Sequence, residues 1–348
     1  MLLSILLLII VLGVIIFIHE LGHFIFAKKA NIYVHEFSLG MGPKIFSKRR
    51  KNDETEYTIR AFPIGGFVRL AGEEIDTETD KLVENNRKLH NAKFTDKFKT
   101  IAAGAIFNFI LAIILLLFSS LIFGSPKQKP YLGELNKDYP AYKSGLRKDD
   151  LILKIDNKKI SNWDKVVIEL QTIKEGKELT FLIKDKNNNT KEIKVKPILE
   201  KENNKEVYKY GISISEKINR GILISIKYSF VKFISLFETM FIVISSLITG
   251  KMGMSTISGP VGLYSIMGSI TNINSLINII ALISVNVGFI NLLPFPAFDG
   301  GRLLFMIIEK IKGSPVNPKI ENTIHTIGFI LLMILMLYIT IFDIKKFF

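Results

Sequence analysis

The chain has 348 residues, of which 48% are hydrophobic, and it carries a formal net charge of +14. A composition this apolar is typical of a membrane protein and excludes an ordinary soluble domain as the whole chain. The positive charge is not accompanied by a basic motif with interleaved aromatic residues, so no nucleic-acid partner is expected. Cysteine is absent. Disulfides and thiolate metal sites are therefore excluded, and a metal would have to be bound by His, Asp or Glu.

Four apolar stretches approach or exceed the roughly 20 residues that a membrane-spanning helix needs. They cover residues 1–27, 101–123, 276–293 and 324–342. A fifth stretch, 221–250, is interrupted by Lys227, Lys232 and Glu238 at spacings that suggest one polar face of a helix. That pattern predicts a helix lying in the membrane interface. The predicted fold is therefore a polytopic α-helical membrane protein with about four transmembrane helices.

The charges beside the first span predict its direction. Lys28 and Lys29 follow the span directly, and no charged residue precedes it. Because positive charge is retained on the cytoplasmic side, we expect the N-terminus outside and residues 28–100 in the cytoplasm. Within that segment, EYTIRAFPIGGFVRLAGE at 56–73 has short β-favouring runs around a proline and two glycines. This pattern predicts a hairpin or bent strand, a β-loop that lies against the membrane.

A compact α+β module is predicted after the second span. A helix-like segment, DKVVIELQTI, is followed by two strand-like segments joined by the turn-rich KNNN. The preceding stretch, PAYKSGLRKDDLILKIDNKKI, resembles a PDZ domain of the bacterial protease type. PDZ domains bind peptides by adding a strand to a sheet edge, so this resemblance implies recognition or exclusion of a polypeptide. The module lies one span beyond the cytoplasmic segment and is expected outside.

These features divide the chain into seven segments. They are a first transmembrane helix (1–27), a cytoplasmic segment with the β-loop (28–100), a second transmembrane helix (101–124), an extracytoplasmic PDZ domain (125–200), a linker with an interfacial amphipathic helix (201–274), a third transmembrane segment (275–300), and a cytoplasmic turn with the fourth transmembrane helix (301–348). The third transmembrane segment contains NLLPFPAFDGG at 291–301. Its prolines remove backbone donors and are expected to break the helix.

The first span contains an HExxH motif, HELGH at 19–23. Its histidines are four residues apart and share one helix face, where both imidazoles can bind one Zn²⁺. Glu20 can then take a proton from water that the metal activates, which is the arrangement of a hydrolase. A rise of 1.5 Å per residue places His19 about 27 Å from Met1, inside the membrane towards its cytoplasmic side. The competing interpretation is a pair of structural histidines, but three such polar groups at membrane depth are costly without a metal.

A catalytic zinc needs a third protein ligand, and Asp299, after the broken third span, is the strongest candidate. Three histidines in or near polar segments or on the last span are weaker candidates: His35, His90 and His325. If the 221–250 stretch does not cross the membrane, the first and third spans run in the same direction and bring Asp299 and His19 to one face. If it does cross, Asp299 lies on the wrong side. Gly300 and Gly301 are expected to permit the tight backbone that lets Asp299 fold back.

HExxH in the first span, the PDZ-like module and NLLPFPAFDGG in the third span together resemble the site-2 protease family of intramembrane zinc metalloproteases. The resemblance is greatest to the bacterial regulators of sigma-E-type stress responses. It implies one Zn²⁺ per chain, bound by His19, His23 and Asp299, with Glu20 as the catalytic base. It also implies a protein of the bacterial inner membrane that cleaves single-pass membrane proteins, of the anti-sigma factor or remnant signal peptide type, in regulated intramembrane proteolysis.

The same resemblance implies residues that bind substrate. Asn291 is expected to hydrogen-bond the unwound substrate backbone, although a helix–helix hydrogen bond is an alternative role. The β-loop is expected to clamp an extended substrate as an added strand, through Gly65, Gly66, Phe67 and Val68. Its two glycines are equally compatible with a simple turn. Asn108, in the second span, is interpreted as a packing residue rather than a catalytic one.

The chain departs from the family pattern in two respects. Phe295 and Phe298 stand where many members have aliphatic residues, and there is one PDZ module where some relatives have two in tandem. The first difference leaves the ligand assignment little affected, whereas the second puts substrate filtering by paired modules in doubt. Two alternative functions are a catalytically silent PDZ membrane scaffold and a zinc transporter. The intact HExxH and Asp299 disfavour the scaffold, and the confinement of polarity to one membrane level disfavours transport.

Overall fold

The computed structural model describes residues 2–73, 77–172, 176–202, 205–215, 217–250, 252 and 259–347. The chain forms two compact units, which we call the membrane unit and the inserted unit. The membrane unit consists of Met1–Leu115 and Ile257–Phe348, and the inserted unit is Leu116–Thr256. The membrane unit is therefore assembled from two segments that are distant in sequence.

Helices and strands are numbered in chain order. The chain begins with α1 (Leu2–Lys29), β1 (Val34–Arg49), β2 (Glu56–Leu70) and α2 (Phe94–Phe123). There follow β3 (Ser125–Pro126), α3 (Pro140–Lys143), β4 (Leu151–Ile155), β5 (Lys158–Lys159), α4 (Trp163–Thr172), β6 (Leu179–Lys184), β7 (Thr190–Val195), β8 (Ile198–Glu202), β9 (Lys205–Lys209), β10 (Ile218–Asn219) and α5 (Ile222–Ile248). The last elements are α6 (Pro260–Gly268), α7 (Ile273–Leu292), α8 (Asp299–Lys312) and α9 (Pro318–Phe347).

Five helices of the described chain are long and apolar enough to cross a membrane: α1, α2, α5, α7 and α9. Four of them correspond to the predicted spans, so a polytopic helical membrane protein is confirmed. The fifth, α5, is the stretch predicted to lie in the interface. Length and composition alone do not distinguish a crossing helix from an interfacial one, so this role of α5 stays a prediction.

The helices around the HExxH motif alternate in direction. His19 and His23 of α1 face Asn108 and Thr100 of α2, respectively, so these two helices are antiparallel. α7 is also antiparallel to α2, because Ser284 contacts Asn108 and Gly288 lies against Ala105 and Phe109. Consequently α1 and α7 run in the same direction, as the sequence predicted. A shared apolar core joins them to α6, with these buried members: Val11, Ile15, Met267 and Ile283.

β1 and β2 are long, bent strands that pair with each other along most of their length. Residues 34–39 of β1 pair with 66–70 of β2 on one side and with 56–59 of β2 on the other. The second half of β1 pairs with the outer side of the first half of β2. The segment 66–70 is therefore an edge strand, and no described strand pairs with its outer side. The predicted bent strand is confirmed.

The inserted unit contains a four-stranded antiparallel sheet in the order β5-β4-β6-β7. The buried side chains of β6 alternate, as expected for a strand with one face on a core: Leu179, Phe181 and Ile183. The helix and the two strands predicted for this module correspond to α4, β6 and β7. The hairpin of β8 and β9 was not predicted.

α5 packs its polar face against α4 within the inserted unit. Asp164 of α4 accepts hydrogen bonds from Lys232 Nζ and Ser235 Oγ, both at 2.6 Å. Lys165 pairs with Glu238 at 2.9 Å. The exposed apolar side chains of α5 include Ile226, Phe230, Ile234 and Phe241. The polar residues that interrupt this helix in the sequence are thus partly explained by contacts with the module.

The third predicted transmembrane segment ends earlier than its apolar composition suggests. α7 stops at Leu292, and residues 293–298, which include both prolines, are not helical. The predicted helix break is therefore confirmed. Residues 299–312, at the start of the segment predicted as a cytoplasmic turn, form α8, whose buried residues Leu303 and Met306 pack against Ile101 and Ala102 of α2. Gly313, with φ of +76°, ends this helix as a left-handed cap.

Candidate metal centre

The three predicted metal ligands meet within the membrane unit. His19 Nε2 lies 3.1 Å from Asp299 Oδ2, and His23 Nε2 lies 3.3 Å from the same oxygen. The two Nε2 atoms are 3.1 Å apart. All three side chains are largely buried. The HExxH motif and Asp299, distant in sequence, therefore form one cluster.

The geometry of this cluster fits zinc. Zn²⁺ binds His nitrogen and carboxylate oxygen at about 2.0–2.2 Å, so neighbouring ligand atoms of a tetrahedron lie about 3.3–3.5 Å apart. The three separations in the cluster, 3.1–3.3 Å, are close to that value. Among the described residues, this is the one group of three His, Cys, Asp or Glu side chains whose ligand atoms could hold a metal ion. Three protein ligands are also the number typical of a catalytic zinc.

α2 contacts the second ring nitrogen of each histidine. His23 Nδ1 donates to the backbone carbonyl oxygen of Thr100 at 2.9 Å. With the proton on Nδ1, the Nε2 lone pair is available to a metal. His19 Nδ1 faces the side-chain amide of Asn108 at 3.3 Å. The interpretation of Asn108 as a packing residue is therefore incomplete, because its side chain contacts a ligand.

Gly104 brings α2 close to both histidines. A Cβ atom built at this position would lie 2.4 Å from His23 Nε2 and 2.7 Å from His19 Cε1. Real Cβ atoms do not approach other atoms so closely, so only glycine leaves room for the imidazoles here. A glycine in an apolar helix signals close helix packing in the sequence, but it does not reveal what lies opposite.

Glu20 follows the first ligand on α1 and is not one of the three converging side chains. It is close enough to His19, His23 and Asp299 for electrostatic interaction with all of them. Gly66 of the edge strand contacts it, since a Cβ built at Gly66 would lie 3.6 Å from Glu20 Cγ. The acid therefore lies between the ligand cluster and the edge strand.

The backbone before Asp299 adopts an unusual conformation at Ala297, with φ of +84°. Its N–H donates to His325 Nδ1 of α9 at 3.1 Å. The expectation that Gly300 and Gly301 supply a tight turn is wrong, because both are helical and neither has positive φ. Their role is close packing: a Cβ at Gly300 would lie 2.2 Å from the Leu293 carbonyl oxygen.

Arg302, one turn after Asp299, links α8 to the edge strand. Its guanidinium forms an ion pair with Glu73 Oε1. Glu73 Oε2 accepts from the backbone N–H of Leu70, at the end of β2, at 3.3 Å. The same carboxylate thus contacts both the helix that carries Asp299 and the strand beside Glu20. This pair could not be predicted from the sequence, because Glu73 and Arg302 are far apart in the chain.

The predicted substrate-binding residues of the β-loop lie on or next to the edge strand. Gly65 has φ of +90° and precedes the straight part of the strand. Gly66, Phe67 and Val68 pair with Leu39, Ser38 and Phe37, respectively. Asn291 lies in the last turn of α7, which packs against the start of α8 at Gly300. No described residue forms a hydrogen bond with the Asn291 side chain.

His35 and His90 form hydrogen bonds with residues outside the cluster. His35 Nε2 pairs with Asp80 Oδ1 at 2.7 Å, and His90 Nδ1 faces the Gly72 carbonyl oxygen at 3.1 Å. Burial would raise the pKa of Asp80, but hydrogen bonds from Thr77 and the contact with His35 lower it to about 2. Asp80 is therefore ionised at neutral pH, and its contact with His35 connects the segment before α2 to β1.

The chain is similar to known metalloproteases over most of its length. A family model described as peptidase family M50 matches residues 7–335. The chain is 32% identical to the regulator of sigma-W protease RasP of Bacillus subtilis, over 98% of each protein. It is 35% identical to a protein named as a zinc metalloprotease in Fusobacterium nucleatum, over 98% of each. A similarly named protein of Clostridium acetobutylicum is 34% identical, over 95% of the chain and 94% of that relative.

Proposed function

The chain belongs to peptidase family M50, and on this basis we propose that it cleaves peptide bonds within the membrane, using a zinc ion bound by His19, His23 and Asp299. It is a multi-pass membrane zinc metalloprotease, and its cofactor is Zn²⁺. The observation that carries the assignment of the site is the convergence of three potential ligand atoms at 3.1–3.3 Å, with Glu20 nearby but not among them.

Each polar residue of the cluster has a distinct role in the proposed reaction. Bound Zn²⁺ supplies Lewis-acid activation of water and of the scissile carbonyl. His19, His23 and Asp299 would hold it, and three protein ligands would leave a coordination position for the reactants. Glu20 takes a proton from the attacking water and passes it to the leaving amine. This role requires a carboxylate that is close to the metal but does not bind it, which matches the position of Glu20.

The substrate is proposed to bind as an added strand. A transmembrane helix must be unwound before hydrolysis, and its freed amides and carbonyls then need partners. No described strand pairs with the outer side of the 66–70 segment, so a substrate strand can be added there, and Gly66 contacts Glu20. The side-chain amide of Asn291, in the last turn of α7, is proposed to donate to a substrate carbonyl. An extended peptide bound to the edge strand would lie next to the acid.

The membrane topology follows from the helix directions in the membrane unit. α2 is antiparallel to α1 and to α7, so α2 ends, and α7 begins, at the end of the unit where α1 begins. A segment that leaves and re-enters on one side of a membrane crosses it an even number of times. α5 is the one candidate span between them in the described chain, so we propose that α5 lies in the interface.

Two further features support this topology. The polar face of α5 contacts α4 through Asp164, Lys165 and their partners, while its apolar side chains are exposed. Such a division is typical of a helix that lies at a membrane surface. Lys28 and Lys29 mark the opposite end of α1 as cytoplasmic. The inserted unit is therefore proposed to be extracytoplasmic, with its PDZ-like module available to a polypeptide.

The proposed substrates are single-pass membrane proteins that a first protease has shortened. The relative in Bacillus subtilis is named as a regulator of sigma-W protease, which supports a role in regulated intramembrane proteolysis. Anti-sigma factors that have been shortened in this way and remnant signal peptides are both proposed as substrates. Each has one apolar transmembrane helix and few residues on the extracytoplasmic side. The proposed location is the bacterial inner membrane.

The test is co-expression with a tagged single-pass substrate, followed by fragment mass and zinc content. We expect Glu20→Gln to abolish cleavage while keeping one zinc per chain, and Asp299→Asn to lose the zinc. Glu54→Gln, which alters an acid paired with Lys28 and Arg87, is the matched control and should cleave normally. Cleavage by Glu20→Gln would sink the mechanism. Bound zinc without cleavage by the unaltered protein would favour a scaffold or a transporter.

A further inference from the structure

The two histidines of the cluster are supported by different groups of α2. Thr100, Gly104 and Asn108 are spaced four residues apart and share one face of this helix. At one end of this row a backbone carbonyl accepts from His23, and at the other end a side-chain amide faces His19. A backbone carbonyl is present whatever the residue, whereas the support of His19 depends on the identity of residue 108.

The chemistry of metal binding determines which atom of Asn108 must face His19. A nitrogen that binds a metal carries a lone pair, so Nε2 of His19 is unprotonated and Nδ1 carries the proton. The atom opposite Nδ1 must then accept a hydrogen bond, and Oδ1 is the acceptor of the amide. If Asn108 Nδ2 faced His19 Nδ1, then Nδ1 would have to accept the hydrogen bond. The imidazole proton would then lie on Nε2 of His19, among the three ligand atoms.

Nothing in the described chain holds the amide in the other orientation. Asn108 is fully buried, and its Oδ1 has no hydrogen-bond partner when Nδ2 faces His19. The oxygen and the NH₂ group of an amide have nearly the same size, so a rotation of the Asn108 amide by 180° exchanges their positions. Oδ1 then faces His19 Nδ1, and no hydrogen bond to Oδ1 is broken by the rotation. The backbone is also fixed, because Ser284 Oγ donates to the Asn108 carbonyl at 2.8 Å.

We propose that Asn108 is a positioning residue, which accepts a hydrogen bond from Nδ1–H of His19 and so presents the Nε2 lone pair to zinc. This inference rests on the proposed function, in that His19 is a zinc ligand. It assigns to Asn108 the role that a carboxylate or carbonyl commonly has behind a zinc-binding histidine, and loss of such a partner typically weakens metal binding about 10–100-fold.

The test compares two near-isosteric substitutions in the full-length protein in detergent. Asn108→Leu removes the acceptor, whereas Asn108→Asp keeps an oxygen in its place. Zinc affinity is measured by competition with a chelator, and the absorption spectrum of the Co²⁺ form reports ligand geometry. We expect a zinc dissociation constant about 10–100-fold higher for Asn108→Leu and within about threefold of the unaltered protein for Asn108→Asp.

Ser120→Ala is the matched control, because it removes a buried hydroxyl of α2 that donates to Ser225 rather than to a ligand. Its zinc affinity should not change. Equal affinity in Asn108→Leu and the unaltered protein would overturn the inference, as would an Asn108→Asp protein as weak as Asn108→Leu. If Asn108→Leu does not fold, a tenfold weakening in folded Asn108→Asp is sufficient to reject it. Retention of zinc by Asp299→Asn would instead overturn the proposed function itself.

Discussion

The metal cluster is built from two regions of different kinds. His19 and His23 lie one turn apart on α1, an uninterrupted helix, so helix geometry alone brings them together. Asp299 begins a short helix after a break, and its position depends on contacts with α7, α9 and the end of β2. The difference indicates that substitutions remote from the metal affect the cluster mainly through the Asp299 side.

The largest effect is expected from closing the space beside the histidines. Gly104→Ala would place a methyl group 2.4 Å from His23 Nε2, so we expect no measurable zinc binding and no proteolysis. Zinc content of the purified protein is the measurement. Gly268→Ala is the control, because its methyl group would make an ordinary 3.5 Å contact with Ser4 Oγ. A Gly104→Ala protein with a full complement of zinc would show that α2 can move away.

A smaller effect is expected on the Asp299 side from His325. His325→Leu removes the acceptor for the Ala297 N–H and should weaken zinc binding about tenfold, the lower end of the range for residues behind a ligand. His325→Asn keeps an acceptor and should restore much of the affinity. The exposed His90 supplies the control, His90→Leu. If His325→Leu binds zinc normally, packing of the glycines alone is sufficient to hold Asp299.

The Glu73–Arg302 pair should affect catalysis more than metal binding. Glu73→Gln or Arg302→Gln separates the edge strand from α8, and we expect kcat/KM to fall about fivefold while zinc affinity changes little. The double substitution should be no worse than either single one, because the pair acts as a unit. Additive losses in this double-mutant cycle would show that the two residues act independently.

The smallest effect is expected at Ala297, and in the opposite direction. A non-glycine residue at φ of +84° is strained, so Ala297→Gly should stabilise the fold by about 0.5–1 kcal/mol. Ala102→Gly, in the interior of α2, should destabilise it by about 1 kcal/mol. Thermal unfolding in detergent measures both. If both substitutions lower the melting temperature, the positive φ of Ala297 does not cost the free energy assigned to it here.

The sequence was most informative where function depends on neighbouring residues. His19 and His23 could be proposed as ligands because a helix period of 3.6 residues converts their spacing into a shared face, and Glu20 could be proposed as the acid because it lies next to His19. Asp299 could be predicted as the third ligand because few acids lie near the spans and because the spans have predictable directions. The break before Asp299 was also predictable, since two prolines cannot continue a helix.

The supporting residues could not be predicted in the same way. Asn108 and His325 contact their partners across helices, and neither the amide nor the imidazole has a local pattern that identifies a partner. The backbone strain was expected at glycines but lies at Ala297, because the two glycines are required for close packing instead. Tertiary contacts, rather than local propensity, determine these details.

The interruption of the membrane unit by Leu116–Thr256 has a consequence for how this enzyme can change over time. In the proposed topology the chain leaves and re-enters the membrane unit at one end, and the proposed ligands and Glu20 all lie within that unit. Segments inserted between such neighbouring points are commonly tolerated, because their length does not alter the spacing of the elements on either side. If the inserted unit recognises the substrate, as proposed, then gain, loss or exchange of modules there would change substrate choice without altering the ligand cluster.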